Sequence, residues 1–181
     1  DAMAAWVAQQ PQETPTELTF ICTHNSRRSH MGQIWAQAAA WHFGLNDVRT
    51  FSGGTEATAF NPRAVRALRE LGVAIDVSEE ADNPVYTVQL QSDWPSFEAF
   101  SKTYGDEANP SEGYAAVMVC SSADQGCPIV YGSAARFAIP YIDPKVSDGT
   151  DAEAATYRVR ALQIGAEAFY VMARAAELRA Q

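Results

Sequence analysis

The stretch FICTHNSRRSHMGQIWAQ, residues 20–37, decides the architecture of this chain. It begins inside an apolar segment, residues 17–22, which has the density of a buried strand. A polar turn follows, and residues 29–43 then carry apolar side chains at helical spacing until Gly44 ends the pattern. The stretch therefore predicts a strand, a tight turn and a helix in immediate succession.

The remainder of the chain continues this alternation. Further strands are predicted at residues 48–54, 83–91, 113–120 and 135–144, and further helices at residues 2–10, 61–72, 95–104 and 151–180. Strands that alternate with helices form a parallel sheet covered on both faces. The 181 residues are enough for one such domain. We predict an α/β three-layer sandwich over residues 17–181, preceded by an N-terminal extension, residues 1–16.

The charge balance narrows the choice of partner. Lysine and arginine contribute 13 residues against 22 acidic ones, which gives a net charge of −9. A nucleic acid or an anionic membrane needs a basic surface, so neither is predicted as the main partner. A small anion remains compatible with this charge, because a few amides and one arginine outweigh the global field at contact distance.

The sequence also bears on the compartment. No apolar run reaches the length of a membrane span, and the first residues lack the basic segment and apolar core of a secretory signal. The chain has an odd number of cysteines, which is typical of thiols kept reduced for reactivity or packing. They are Cys22, Cys120 and Cys127. We therefore expect a cytoplasmic protein.

Three reactive residues are predicted to lie at the same rim of the sheet. Cys22, Cys120 and Asp143 each lie at the carboxyl end of a predicted strand. In open parallel α/β sheets, ligands bind outside the carboxyl ends of the strands. These three residues, far apart in sequence, are therefore expected to converge on one site.

The turn after Cys22 has the composition of an anion pocket. Backbone N–H groups of such a turn, with the positive end of the following helix, form a concave nest for a tetrahedral oxyanion. The same amides would stabilise a thiolate at Cys22, and Arg28 could bind two oxygens of the anion as a fork. Ser29 is placed to donate its hydroxyl to the thiolate. The predicted oxyanion-binding residues are Thr23, His24, Asn25, Ser26, Arg27, Arg28 and Ser29.

The alternative is a buried Cys22 beside a surface pair of arginines. Cys-x5-Arg alone arises by chance, but Cys-x2-Asn-x2-Arg-Ser between a strand and a helix is a much tighter pattern. Within this pattern, Asn25 is expected to hold the shape of the loop through hydrogen bonds. We therefore favour a nucleophilic Cys22.

CTHNSRRS, residues 22–29, resembles the phosphate-binding loop of the low-molecular-weight protein tyrosine phosphatase superfamily, which includes the thioredoxin-coupled arsenate reductases. Residues 52–65 and 68–76 resemble the second strand and the following helix of that family. YIDP, residues 141–144, resembles its Asp-Pro loop. The resemblance implies a four-stranded parallel sheet with flanking helices.

The same resemblance implies roles for single residues. Cys22 would be the nucleophile, Arg28 the clamp on an arsenate or phosphate oxyanion, and Asp143 the general acid. His24 stands where a small residue is usual in the family, and it either tunes Cys22 or points to solvent, which we favour slightly. Arg27 replaces a second loop cysteine, which removes one disulfide partner of Cys22. Where some reductases have a glutamate near a potassium site this chain has glutamine, so no metal is predicted.

CSSADQGCP, residues 120–128, resembles the redox segment of the arsenate reductases. The resemblance implies that Cys120 attacks Cys22 and releases arsenite, and that Cys127 then attacks Cys120. Thioredoxin or a similar external dithiol would reduce the final disulfide, with no bound cofactor. The segment is expected to be mobile, because each sulfur must come within disulfide reach in turn. The alternatives are a core Cys120 with an incidental Cys127, or a zinc site, for which two cysteines are too few ligands.

The residues after Asp-Pro bear on the substrate. Phosphatases of this family usually have aromatic residues there, which flank phosphotyrosine. This chain has Lys145, Val146 and Ser147. That favours a small inorganic oxyanion, although the long segment 81–111, expected to be a lid or an extra edge, offers another aromatic wall. Its aromatic candidates are Trp94, Phe97 and Phe100.

Three hypotheses therefore remain open. The leading one is an arsenate reductase that uses a three-cysteine relay. The first alternative is a phosphatase that hydrolyses phosphomonoesters through a cysteinyl-phosphate. The second alternative is a non-catalytic oxyanion-binding module, which the intact nucleophile, clamp and acid disfavour.

Overall fold

The computed structural model describes residues 1–77, 79–126 and 129–181. Its helices are α1 (Ala2–Gln9), α2 (Arg28–His42), α3 (Pro62–Glu70), α4 (Ser121–Gly126) and α5 (Glu153–Arg179). Its strands are β1 (Thr16–Cys22), β2 (Val48–Gly54), β3 (Ala74–Val77), β4 (Tyr86–Gln89), β5 (Phe97–Ala99), β6 (Ala115–Met118) and β7 (Ala135–Ala138). A short 3₁₀ helix, Pro144–Ser147, follows β7.

Four strands form the main sheet, in the order β2-β1-β6-β7, and all are parallel. The pairing of β1 with β2 runs from Thr16 opposite Val48 to Cys22 opposite Gly54. β1 and β6 are buried almost throughout, as expected for central strands covered on both faces. Helices flank this sheet. The predicted α/β fold with a four-stranded parallel sheet is therefore confirmed.

The strands β3, β4 and β5 form a second, antiparallel sheet. The helix predicted at residues 95–104 is wrong, because this segment contains β5, which pairs with β4. Exposure alternates along β5, with Glu98 exposed between a half-buried Phe97 and a buried Ala99, and a period of two suits a strand. Segment 81–111 thus builds two strands of this sheet and shares one bridge with the edge of β2.

The strand β2 lies at an edge of the main sheet, and side chains of α2 satisfy part of its outer backbone. Gln37 donates Nε2 to Val48 O at 3.1 Å and accepts from Thr50 N at 2.9 Å. Gln33 donates Nε2 to Thr50 O at 3.2 Å. Farther along, residues 102–104 exchange two backbone hydrogen bonds with the last residue of β2. An edge occupied in this way is protected against pairing with another chain.

The helix α1 packs against α5 through its buried residues Met3, Ala4 and Val7. At the end of α5, Arg179 donates to both carboxylate oxygens of Asp47 and to Val7 O. The boundary of an N-terminal extension stays a prediction, and α1 shares the core of the domain. Among the residues described, none of the helices has both the length and the apolar character of a bilayer-spanning segment.

Candidate active site

The loop between β1 and α2 is built around Asn25, which is fully buried. Its φ of 43° lies in the left-handed region, which asparagine tolerates better than most residues. The Asn25 side chain bonds in two directions, since Oδ1 accepts from Lys102 N at 2.9 Å and Nδ2 donates to Ser29 Oγ at 2.8 Å. These contacts agree with the prediction that Asn25 holds the shape of the loop.

The thiol of Cys22 lies at the end of β1 and is 4% exposed. Its Sγ is 3.1 Å from Ser29 Oγ. Because Ser29 Oγ already accepts a hydrogen bond from Asn25, its own hydrogen is available to the sulfur. A hydrogen bond donor in this position favours the thiolate over the thiol. The contact predicted between Ser29 and Cys22 is present.

The outer side of this loop is anchored by the segment that follows β2. Thr55 N donates to Cys22 O at 3.2 Å, and Asn61 N donates to Ser26 O at 2.8 Å. The close approach requires a glycine, because a Cβ at Gly54 would lie 2.3 Å from a neighbouring carbonyl oxygen. Since loop carbonyls are held from outside, the inner side is left to the backbone N–H groups, as an oxyanion nest requires.

The guanidinium of Arg28 bridges this loop to the Asp-Pro loop. Arg28 Nη2 donates to Asp143 Oδ2 at 2.6 Å, and Nη1 donates to Tyr141 O at 2.8 Å. The second carboxylate oxygen of Asp143 accepts from Lys145 N at 3.0 Å and caps the 3₁₀ helix. Arg28 Nε is buried and has no partner among the described residues. The predicted clamp and acid thus lie side by side, and the clamp keeps one free donor for an anion.

The side chain of Arg27, which is predicted among the oxyanion-binding residues, binds α5 and the end of the 3₁₀ helix. Its Nε donates to Tyr157 Oη at 2.7 Å, and Nη2 lies 3.5 Å from Asp148. The same Nε is 4.0 Å from Asp143 Oδ1. Burial and the hydrogen bond to Asp148 raise the pKa of Tyr157 to about 12. The side chain of Arg27 therefore ties the loop to α5 and to the Asp-Pro loop, a role that the sequence did not indicate.

The side chain of His24 lies at the rim of the loop. His24 is half exposed, and its Nδ1 is 3.1 Å from Glu56 Oε1. Its backbone carbonyl accepts from Thr58 Oγ1 and from Ser101 Oγ. These contacts favour the solvent-facing alternative for the His24 side chain over a role in tuning Cys22.

The second cysteine of the described chain lies beside the loop. Cys120 is 1% exposed, and its Sγ is 3.6 Å from Thr23 Oγ1. The Ala123 N–H donates to the same sulfur at 3.3 Å. Both Cys22 and Cys120 are free thiols. Cys22 ends β1, and Cys120 lies two residues beyond the end of the adjacent strand β6, so the predicted convergence of the two cysteines at one rim of the sheet is observed.

The redox segment is more regular than expected. Residues 121–126 form α4, whereas the sequence predicted a mobile loop. The helix is held by Arg136, which donates to Asp124 O at 2.8 Å and pairs with its carboxylate at 2.6 Å. A partner twelve residues away in sequence could not be read from composition alone. Cys127 lies outside the described residues, so its predicted part in the relay stays a prediction.

The aromatic wall proposed from segment 81–111 is wrong for two of its three members. The rings of Trp94 and Phe97 pack on Trp41, with centroids 5.5 and 6.3 Å away. Trp41 is thirteen residues beyond Arg28 on α2, about 20 Å along the helix axis. These aromatics therefore pack at the far end of α2 and form no wall of the anion pocket.

Two buried basic side chains, those of His30 and Lys102, lie near the loop and had no predicted role there. His30 is fully buried and stacks on Phe60 at 4.0 Å. Burial, and then the charge of Lys102, lower the pKa of His30 to about 3, so its ring is neutral near pH 7. Lys102 is 5% exposed, and burial lowers its pKa to about 8. The signal for Lys102 was a lone lysine between aromatic residues in FEAFSKTY, residues 97–104.

The prediction that no metal is bound rests on Gln33, which stands where some reductases have a glutamate. Gln33 holds the backbone of β2 rather than facing the loop. Within the described part of the chain, no three His, Cys, Asp or Glu side chains gather into a group that could hold a metal ion.

Comparisons with known proteins agree with this geometry. The model of the family "Low molecular weight phosphotyrosine protein phosphatase" matches residues 17–87. Arsenate reductase 2 of Staphylococcus epidermidis is 31% identical over 126 residues, which cover 69% of this chain and 76% of that protein.

Two solved structures share the fold. One is an arsenate reductase in a phosphate-binding state, with a TM-score of 0.55 and 18% identity over 87% of this chain and 97% of the other. The second is a low-molecular-weight protein tyrosine phosphatase from Bacillus subtilis, with a TM-score of 0.59 and 17% identity over 92% of this chain and 100% of the other. With 17–18% of residues identical, these two matches show that the fold is shared.

Proposed function

Because this chain belongs to the low-molecular-weight phosphotyrosine protein phosphatase superfamily, with arsenate reductases among its relatives, we propose that it reduces arsenate to arsenite through a cysteine relay. The observation that carries the proposal is the position of Cys120. Its sulfur contacts Thr23, the residue next to the candidate nucleophile, at the same end of adjacent parallel strands. Hydrolysis of a phosphoester through a cysteinyl-phosphate needs one thiol, whereas the proposed relay needs a second thiol close to the first.

In the proposed first step, the Cys22 thiolate attacks the arsenic of arsenate. Ser29 stabilises the thiolate through the 3.1 Å contact, and the loop N–H groups with Arg28 hold the equatorial oxygens. Asp143 donates a proton to the leaving oxygen, which departs as water while the As–S bond forms. The anion would share the guanidinium that now binds the Asp143 carboxylate.

In the proposed second step, the Cys120 thiolate attacks Cys22 Sγ. An S–S bond forms, and the As–S bond breaks with its electron pair moving to arsenic, which leaves as arsenite. Ile21 lies opposite Met118 in the pairing of β1 with β6, and neighbouring strands lie about 4.8 Å apart, inside the Cα–Cα range of disulfides. Cys22 and Cys120 follow this pair by one and two residues, so they leave the sheet from neighbouring positions. Two hydrogen bonds hold the Cys120 sulfur, and the one donated by the Ala123 N–H favours the thiolate form.

The third step is proposed by resemblance. The Cys127 thiolate attacks Cys120, releases Cys22 as a thiolate and leaves a Cys120–Cys127 disulfide. An external dithiol, with thioredoxin as the proposed donor, then reduces that bond by supplying two electrons and is itself oxidised to a disulfide. Such a reductant is available in the cytoplasm, where we propose that the protein acts.

The test is arsenate-dependent consumption of NADPH in the presence of thioredoxin and thioredoxin reductase. Turnover should be lost in Cys22→Ser, Cys120→Ser and Cys127→Ser. Peptide mapping after a single turnover should give a Cys120–Cys127 disulfide in the wild type and a Cys22–Cys120 disulfide in Cys127→Ser. Full turnover in Cys120→Ser would rule out the relay.

A phosphatase remains the second candidate, because two exposed apolar side chains flank Asp143. Ile142 is 68% exposed and Val146 is 72% exposed, so either could contact the organic part of a phosphoester. Hydrolysis of an aryl phosphate that is lost in Cys22→Ser and unchanged in Cys120→Ser would favour this candidate. If arsenate turnover is then absent, the protein is a phosphatase.

A further inference from the structure

A half-open cavity of about 320 Å³ lies between α2, the outer edge of β2 and the segment that contains β5; we call it the β2-edge cavity. Its volume is typical of a pocket for a small molecule. Its lining includes the aromatic side chains of Trp41, Phe51, Phe97 and Phe100. Walls of this kind accept a flat apolar body.

Lys102 lines this cavity and is 5% exposed. Its ammonium has three donors, and among the described residues the one acceptor is Phe100 O, at 3.4 Å. The Phe100 ring centroid lies 4.4 Å from Nζ. Asp106 acts on this charge without forming a salt bridge to it. A buried ammonium with so few partners is costly, and a bound anion would offset that cost.

Gln33 is a second buried residue of the cavity whose hydrogen-bonding capacity is only partly used. It lines the cavity, is 4% exposed, and uses its Nε2 on the backbone of β2. Its Oε1 is buried and has no partner within the described residues. A buried acceptor without a donor costs free energy, so a ligand that donates a hydrogen bond here gains affinity.

The charges at the cavity select the ligand further. Arg49 and Glu98 are the exposed charged residues of its lining, and their opposite charges cancel. With Lys102, the lining therefore carries one net positive charge. His30, behind Lys102, is neutral near pH 7 and adds none. A monoanion matches this balance, whereas a dianion would be repelled by Glu98 and lacks a nest of N–H groups.

We propose that the β2-edge cavity binds a small aromatic carboxylate that carries a hydrogen bond donor. The carboxylate binds Lys102 Nζ, the ring lies among the aromatic side chains, and the donor reaches Gln33 Oε1. This site is separate from the anion pocket and independent of the proposed reaction.

Calorimetry with 4-hydroxybenzoate tests the proposal on the intact protein at pH 7. Saturating inorganic phosphate occupies the anion pocket and keeps the probe from that site. We expect one site, and binding of neutral 4-hydroxybenzamide that is weaker by about tenfold or more, since a hydrogen bond to a charged group is worth at least that. No binding of the acid, or equal binding of acid and amide, would overturn the proposal.

Two pairs of variants locate the carboxylate. Lys102→Met should weaken binding of 4-hydroxybenzoate by about tenfold or more, whereas Lys145→Met, at an exposed lysine outside the cavity, should leave it unchanged. Glu98→Gln should tighten binding by roughly two- to threefold, and Glu112→Gln, at an exposed glutamate elsewhere, should not. Glu98 is exposed, so its variant folds even if Lys102→Met does not. Unchanged affinity in Glu98→Gln would place the carboxylate elsewhere and overturn the proposal.

Discussion

The oxyanion loop and the β2-edge cavity share Lys102. In the loop most buried polar groups have hydrogen bond partners, whereas in the cavity they largely lack them among the residues that the structure describes. In the loop, the backbone N–H of Lys102 binds Asn25, whose amide continues to Ser29 and thence to the Cys22 thiol. In the cavity, the ammonium of the same residue has one long hydrogen bond. A satisfied network fixes one geometry, and unsatisfied groups leave capacity for a ligand.

Because of this difference, we expect substitutions in the loop to change mainly the activity and substitutions in the cavity to change mainly the stability. The loop's groups are arranged around a thiol that must react, so their loss should appear first in turnover. The cavity's groups are held at a cost in free energy, so their loss should appear first as a gain of stability. Four predictions test this difference, from the largest expected effect to the smallest.

The loop prediction with the largest effect is Cys22→Ser. It removes the nucleophile while keeping the size and the contact with Ser29. Turnover of arsenate, and of any aryl phosphate, should fall by at least about 10³-fold. The residues of a catalytic site act as a unit, so loss of the nucleophile alone removes most of the rate enhancement. Steady-state kinetics and a thermal melt together check this: activity that survives in a folded variant would remove Cys22 from the site.

His30, whose pKa is lowered by burial and then by the nearby charge of Lys102, should make the protein sensitive to acid. The unfolded state binds a proton at His30 near pH 6.5, and the folded state does so only near pH 3. The unfolded state therefore binds more protons between these values, and the free energy of unfolding falls as pH drops through this window, by on the order of 3–5 kcal/mol.

Urea unfolding of the wild type and His30→Gln at pH 7 and pH 4 measures this effect. Glutamine keeps a buried polar group but does not titrate. The variant should lose clearly less stability between the two pH values than the wild type. Equal losses in the two proteins would assign the acid sensitivity to other groups.

The cavity also predicts that Lys102→Met stabilises the protein at pH 7. Lys102 loses its proton near pH 8 when folded and near pH 10.5 when unfolded, so burial of its charge costs up to about 3 kcal/mol below pH 8. As pH rises through this window, the wild type gains stability and the advantage of the variant shrinks. Urea unfolding at pH 7 and pH 10 checks both the sign and the trend, with Lys145→Met as the control that should change neither.

The smallest effect on stability is expected from Asn25→Ala in the loop. The change leaves the Lys102 N–H and Ser29 Oγ without their partner and places alanine at a φ of 43°. The free energy of unfolding should fall by about 2 kcal/mol. Turnover should fall as well, since Ser29 loses the bond that orients its hydroxyl. A variant with full activity would show that the network has no part in positioning Ser29.

Much of the fold followed from local pattern. The stretch before Cys22 is a central strand because it is apolar throughout, and Asn61 caps α3 because its Oδ1 accepts from Arg63 N, as its position before Pro62 indicated. The segment around β5 was assigned to a helix because its apolar residues fit both periods. Its pairing with β4 decided the outcome.

In the candidate site, too, some contacts follow from a short motif and others depend on distant parts of the chain. Asn25, Arg28 and Ser29 lie within seven residues of Cys22, so one short motif could indicate their contacts with the thiol and the anion. The direction of Arg27 depends on Tyr157, which lies 130 positions away, and no spacing rule reaches that far.

The sequence by itself determined the strands of the main sheet, the helices α1, α2, α3 and α5 and the chemistry of the loop, because periodicity and short-range spacing are properties of neighbouring residues. Only the tertiary structure decided that Arg27 binds Tyr157, that Trp94 and Phe97 pack on Trp41, and that Lys102 is buried beside a cavity. These outcomes depend on which distant segments exclude water from one another. That exclusion is set by the packing of the whole chain.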